Sequence, residues 1–558
     1  MKQTAKKVLA LSLATLSLSL TGCGLGQQVE QKLDETMTQL RISVYDSGFG
    51  THWLENYAKE FENKYKDYSV ESGKKGVQIR LDKNQINDEV MLAQVPISEN
   101  ALYFNNVDYY ALATSGVAED LSSYMKQPLT EFNDAGTIED KLDDTQKEYM
   151  LHYDNKYYAI PSYEMYRGVT YDMDLFEEAR YGGFYMTENG GWTRGVEGTE
   201  AKSKGPDNKA NTYDDGLPVT FDDFFKLMDR MVEKGVIPFV WTGQYRYADM
   251  LMKALFENFE GNDLKLHYTF DGTANNLIDV ADDGTVTKLG PTAITWQNGY
   301  DLKKSEGYYR ALQFAEKLVD NPSYYYVESF SGSLSHTGAQ ERYLSSRFDK
   351  NSKPIAMIVE GTYWQCEAIQ TFNSINTEYS EDDEYSFEKR RYGFMPMPHY
   401  NLERAAKNNY AQTIATEMFS VFMKKGLDAG MKEAAAKFLQ FTSSNDMVKQ
   451  FLIDTHYARG LNATLTAEEI EELPAYAKSN YNVKANYNIV YEFSTKPFWL
   501  KYESTLLSKD KFGATTLGAS ISHPIYNFHD DKDNKLTPIN YFKALHDTAK
   551  ADWKNYSL

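Results

Sequence analysis

Short apolar runs rich in β-branched and aromatic residues recur along the chain at RISVY, VQIRL, ALYF, YYAIP, VIPFV, PIAMIV, YGFMPM and MFSVFM. Between them the apolar positions repeat with helical spacing. Strands separated by helices predict an α/β architecture. The clearest helix follows Pro218: Thr220 caps it with Asp223 three positions on, and Phe221, Phe224, Phe225, Met228, Met231 and Val232 form one face. Gly235 follows Lys234 at its end. Trp53, Leu54, Tyr57, Ala58 and Phe61 trace another helix, AAAKFLQFTSS a third, and SSNDMVKQFL restarts from polar capping residues. Residues 24 to 40 are polar and unpatterned, as a tether would be. From Tyr181 to Gly216 the chain turns glycine-rich and loses its period, which predicts a long surface insertion. At 558 residues the chain exceeds what one core supports, so two lobes are expected.

The N-terminus changes this picture by adding a compartment. MKQTAKKVLALSLATLSLSLTGC sets Lys2, Lys6 and Lys7 ahead of an apolar run from Val8 to Leu20 that is too short to span a bilayer. It ends in Leu20, Thr21, Gly22, Cys23, similar to a bacterial lipobox. Residues 1–22 are therefore expected to be a signal peptide, and Cys23 to carry a lipid that anchors the protein without spanning the membrane. The remaining cysteine, Cys366, has no histidine near it and reads as a small buried hydrophobe. The formal net charge of -21 disfavours nucleic acid as a partner. Aromatics make up 14% of residues, with 43 tyrosines among them, and tyrosine's flat face and polar tip suit ligands such as sugars.

Candidate chemistry is sparse. The sequence has no H-E-x-x-H, C-x-x-C, G-x-x-x-x-G-K-[ST] or G-x-S-x-G, and its nine histidines lack metal-ligand spacing. Neither a cofactor nor catalysis is expected. A lipid-anchored glycoside hydrolase is the rival enzyme reading, because its two carboxylates need only meet in space. In SVYDSGFGTHW, Gly48 and Gly50 begin a dinucleotide-type G-x-G-x-x-G. Trp53 stands at the third glycine position, where it would block helix-to-strand packing. The loop GPDNKANTYDDG gathers Asp207, Asn208, Asp214 and Asp215, hard oxygen donors of the kind Ca2+ takes. The EF-hand register fails, so an Asx-rich turn cluster is favoured over a structural Ca2+ site.

Seven blocks, ISVYDSGFGTHWLENYAKEFENKY, ALATSGVAEDLSSYM, NKYYAIPSYEMYRGVTYDMDLFEE, PVTFDDFFKLMDRMVEKGVIPF, KPIAMIVEGTYWQCEA, YGFMPMPHY and AAAKFLQFTSSNDMVKQFL, follow one another behind the lipobox. Their order resembles that of the extracellular solute-binding lipoproteins of carbohydrate ABC importers, the maltose-binding-protein-like family, over nearly the whole mature chain. The resemblance implies a two-lobed periplasmic-binding-protein-like (type II) clamp with a hinge and several interlobe crossings. Lobe 1 is expected from 41–163 plus 416–462, and lobe 2 from 164–415 plus 463–558, with the insertion at 181–216 and a lipidated tether at 23–40. It implies a protein that binds carbohydrate and hands it to permease subunits; a monomer is expected, and the lipobox with the lack of disulfides points to the outer face of a Gram-positive cell membrane. A same-fold binder of a non-sugar solute is the alternative.

Carried over by block position, the cleft residues are Ser47, Phe49 and His52 in the first loop, then Asn105, Asn106 and Asp108, with Phe104 standing at a common aromatic-platform position. Tyr163, Glu164 and Arg167 follow in PSYEMYRG. The second lobe would supply Trp241, Gln244, Tyr245, Tyr247, Tyr363, Trp364 and Trp499, the last as a stacking platform.

Overall fold

A computed structural model describes residues 32–557 apart from 46–49, 84–87, 106, 152–153, 380–384, 411, 493–495, 497, 500, 503–510, 517–518 and 534. Cys23, Ser47, Phe49 and Asn106 lie outside the described residues, as does the signal peptide.

Two sheets organise the chain. In the first, β1 (Thr38–Val44) runs parallel to β2 (Val77–Asp82) and β3 (Leu102–Asn105), each pair joined by a helical crossover. β4 (Ile160–Tyr166) then leads through the single residue Arg167 into β5 (Gly168–Asp172) of the second sheet. There β5 pairs antiparallel with β7 (Ile355–Ile358) and β8 (Tyr392–Pro396), while β6 (Ile237–Val240) lies parallel to β7. The chain returns as the long β9 (Gln412–Met423), antiparallel to β3 and β4, and β10 (Asn488–Tyr491) closes the edge parallel to β9. A Cβ at residue 168 would strike the Met395 carbonyl and the Phe394 ring, so only glycine lets the crossover pass so close to β8.

Each sheet is buttressed by its own aromatic core. Leu40, Trp53, Tyr57, Phe61, Tyr103 and Phe438 are buried against the first sheet. Val169, Tyr171, Phe224, Phe239, Trp241 and Phe314 are buried against the second. The helix Phe221–Glu233 carries the capping box read from its sequence, with Thr220 and Asp223 exchanging hydrogen bonds.

Ile160–Tyr166, which holds most of PSYEMYRG, is a fully buried strand. One local expectation is revised. The stretch 181–216 is not a mere surface excursion: Tyr185 and Asp214 are buried, Tyr185 packs edge-on to Tyr171 and Phe176, and the Tyr487 hydroxyl bonds Asp214. Its lack of period reflects contacts made residue by residue rather than by a helix face. Among the described residues no helix is long and apolar enough to cross a membrane.

Candidate functional site

The seam between the sheets is built around β4. Residues after the helix Asn445–Thr455 dock against it: Tyr163 bridges Arg459, and the Gly460 amide donates to the Ser162 carbonyl at 3.2 Å. From the other sheet, the segment after β7 reaches across, and the Tyr166 amide donates to the Thr362 hydroxyl at 3.3 Å. The result is an aromatic junction in which Tyr163 and Tyr363 both face Tyr457, with ring centroids 5.6 and 6.4 Å away. Two expected residues from different blocks thus meet. The residue that joins them, Tyr457, carries no sequence pattern and was not anticipated. Beside it His456 bonds Gln365 at 2.8 Å and stacks on Phe387 at 4.4 Å, and burial pulls its pKa down to about 4, so the ring is neutral.

Glu164 on β4 and Arg167 just after it hold protein partners. Glu164 is fully buried and accepts from Lys484 (3.0 Å), Tyr491 (2.9 Å), Tyr166 (3.0 Å) and the Gln146 amide. Burial raises its pKa, against the opposing charge of Lys484. Arg167 meets Glu257 at 3.1 Å and Glu492 at 3.3 Å, and Lys511 bridges the same two carboxylates. Burial pushes Glu257 up to about 7. Glu492 is held well below the ordinary range because Lys511 and Arg167 outweigh its burial. Glu164 was expected either in the cleft or as a solvated loop charge; it is instead part of the seam, because desolvating a carboxylate is tolerable only with cations and donors around it.

A groove opens at the end of β6. Thr242 is pinned by its hydroxyl on the Leu334 carbonyl (2.7 Å), and Gly243 lies against the Ser331 carbonyl. The chain then turns outward through Arg246, whose φ of 55° is left-handed, into the helix Ala248–Glu260. Gln244, Tyr245, Arg246, Tyr247, Asp249, Lys253 and His523 line a cavity of about 360 Å³. Tyr245 is 55% exposed, with Tyr247 at 6.2 Å and His336 at 6.0 Å. Three of the expected second-lobe residues are therefore grouped here, Gln244 and Tyr245 exposed and Tyr247 half-buried beside them.

Other expected residues sit elsewhere. Trp241 is wholly buried between Tyr325 and Phe330. Trp364 is wholly buried among Tyr343, Phe372 and Tyr392, and Trp499 is buried against Tyr268 and Phe270. None of the three offers a ring face in this conformation; large apolar rings gain more from core packing than from a wet cleft. Phe104 is likewise core, edge-on to Trp53. Asn105 is buried beside Met91, Asp108 caps the helix Tyr109–Ser115, and His52 is exposed with its Nε2 3.1 Å from the Asp454 carbonyl. Arg459 is buried over the rings of Trp53 and Phe451, 5.7 and 5.3 Å away.

In the 205–216 loop the carboxylates are engaged by the chain itself. Asp207 accepts from the Lys209 amide (2.7 Å), Asp214 from the Asp207 amide (2.9 Å) and Asp215 from the Asn211 amide (2.8 Å), while Asn208 is exposed. The first is an Asx-turn contact, and the other two tie the loop back on itself. Burial pushes Asp214 up to about 7. Among the described residues no three His, Cys, Asp or Glu side chains converge as a metal ion would require.

The family model described as "Bacterial extracellular solute-binding protein" matches residues 56–478. The chain belongs to that family. Solved structures share the fold of this solute-binding protein at low identity. A chitin oligosaccharide binding protein is 14% identical with a TM-score of 0.51, the match covering 93% of this chain and 99% of the other. RafE in complex with raffinose is 14% identical with a TM-score of 0.52, over 92% and 100%. Maltose-bound MalE3 of T. maritima is 14% identical with a TM-score of 0.50, over 92% and 99%. No curated protein matches the chain. The two sheets with their separate cores are thus the two lobes of a solute-binding clamp, and the family is one of binding proteins.

Proposed function

We propose that this solute-binding protein captures a carbohydrate between its lobes and delivers it to the permease of an ABC importer, held at the outer membrane face by a lipid on Cys23. The observation that carries the reading is the Gln244–Tyr247 groove, where the exposed Tyr245, the half-buried Tyr247 and the Gln244 amide stand together after the end of β6. Such a surface suits pyranose rings, which present an apolar face and a hydroxyl rim. Solved structures of the same fold, among them RafE with raffinose, maltose-bound MalE3 and a chitin oligosaccharide binding protein, support it.

Capture works by shifting populations. A ligand favours the closed form only as far as it binds that form better, so both lobes must contribute contacts. The junction of Tyr163, Tyr457 and Tyr363, which joins strands of both sheets, is the place where motion of one lobe is felt by the other.

A thermal-shift panel of mono- and oligosaccharides tests the proposal. A true ligand at about a hundredfold its Kd adds roughly 2.7 kcal/mol to the folded state and raises the melting temperature. A panel in which no carbohydrate moves the transition contradicts the reading.

A further inference from the structure

The Gln244–Tyr247 groove brings together two positive charges with no acid of its own left over to neutralise them. The chain has 80 acidic and 59 basic residues, and basic side chains are engaged by carboxylates at the seam and over much of the surface. Arg246 and Lys253, both lining the groove, make no ion pair among the described residues. Arg246 is exposed, its guanidinium 5.8 Å from the Tyr526 ring. The remaining charged groups that line it are His523 and Asp249, and these bond each other, so the single acid of the groove is already engaged. An acidic protein has thereby left two cations unneutralised beside two tyrosine rings.

The backbone adds an independent observation. Arg246 holds a left-handed φ of 55°, a conformation that costs a non-glycine residue energy and that glycine would adopt without strain. Guanidinium is moreover the group whose planar fork matches a carboxylate with two parallel hydrogen bonds, and a partly enclosed groove strengthens that pairing relative to open water.

Resting on the carbohydrate reading above, we infer that the groove selects an acidic oligosaccharide, one carrying uronate carboxylates. Arg246 meets a carboxylate, Lys253 supplies a second positive charge, and Tyr245 and Tyr247 pack on the sugar rings.

Calorimetric titration of the full chain with uronate trisaccharides (galacturonate, mannuronate and guluronate), each paired with its carboxyl-reduced neutral counterpart, tests this. The expected result is that at least one acidic trisaccharide binds tenfold or more tighter than its neutral partner, with a preference that shrinks as salt is raised. Arg246→Gln and Lys253→Gln, each verified as folded by its melting curve, should bring the acid-to-neutral ratio toward one. If every neutral partner binds as tightly as its acid, or if neither variant changes the ratio, the inference is wrong. If none of these trisaccharides binds while another sugar from the thermal panel does, the inference falls and the carbohydrate reading stands. If no carbohydrate of any kind binds, both fall.

Discussion

Tyr245 and Trp499 separate two roles that composition cannot. Tyr245 stands 55% exposed at the lip of the groove, whereas Trp499 is 3% exposed and packed against Tyr268 and Phe270. Truncating each should act on a different quantity. Tyr245→Ala is expected to weaken sugar binding by about tenfold, roughly 1.4 kcal/mol, while leaving apo stability within about 0.5 kcal/mol. Trp499→Ala should instead cost about 3–5 kcal/mol of stability, as loss of a large buried ring does. Apo melting curves beside titrations separate the two, and a Trp499→Ala protein of unchanged stability would put that ring back in the cleft. In the sequence both residues are expected in the cleft, Trp499 as the stacking platform. What divides them is packing against Tyr268 and Phe270, more than two hundred positions away, which no local spacing records.

At the scale of elements, the helix Asn445–Thr455 and the turn that ends it connect stability to pH. His456 closes that helix with a left-handed φ of 55° and is held neutral by burial, its pKa drawn down to about 4. His399 behaves alike, drawn down to about 4 by burial. The unfolded chain binds protons at these rings near pH 6.5 while the folded chain does not, so stability rises with pH between about 4 and 6.5. Glu257, pushed up to about 7 by burial, works the other way, since its folded form keeps a proton the unfolded chain releases. The contribution of His456 can be isolated by His456→Asn, because asparagine tolerates the left-handed backbone. Urea unfolding at pH 4.5 and 6.5 should show a smaller pH difference in the variant than in the parent, by an amount on the order of 1–3 kcal/mol. Equal differences would mean that His456 titrates normally. Elements with their own period were legible in advance, as Thr220 and Asp223 at the head of Phe221–Glu233 illustrate. PSYEMYRG was not, because a strand buried on both faces has no alternation to betray it.

For the whole molecule, the seam explains why so little of the site could be read from spacing. Glu164 finds Lys484 and Tyr491, and Arg167 finds Glu257, Glu492 and Lys511, across hundreds of residues. Each charge alone looks like any of the 80 acids or 59 bases in the chain. Block order drew attention to β4 and to the turn after β6, but it could not distinguish side chains that knit the two sheets together from those left open at the groove. Those that knit are saturated by protein partners. At the groove Tyr245 is exposed and Arg246 and Lys253 make no ion pair among the described residues, as the proposed binding surface requires. The central claim is that this open set, on a two-lobed clamp, captures carbohydrate without transforming it. It is tested most directly by calorimetric titration of the full chain with the sugar identified in the thermal panel, followed by recovery of that sugar. The account predicts saturable binding of one sugar per chain and a ligand recovered intact; absence of binding, or a sugar returned cleaved, would contradict it.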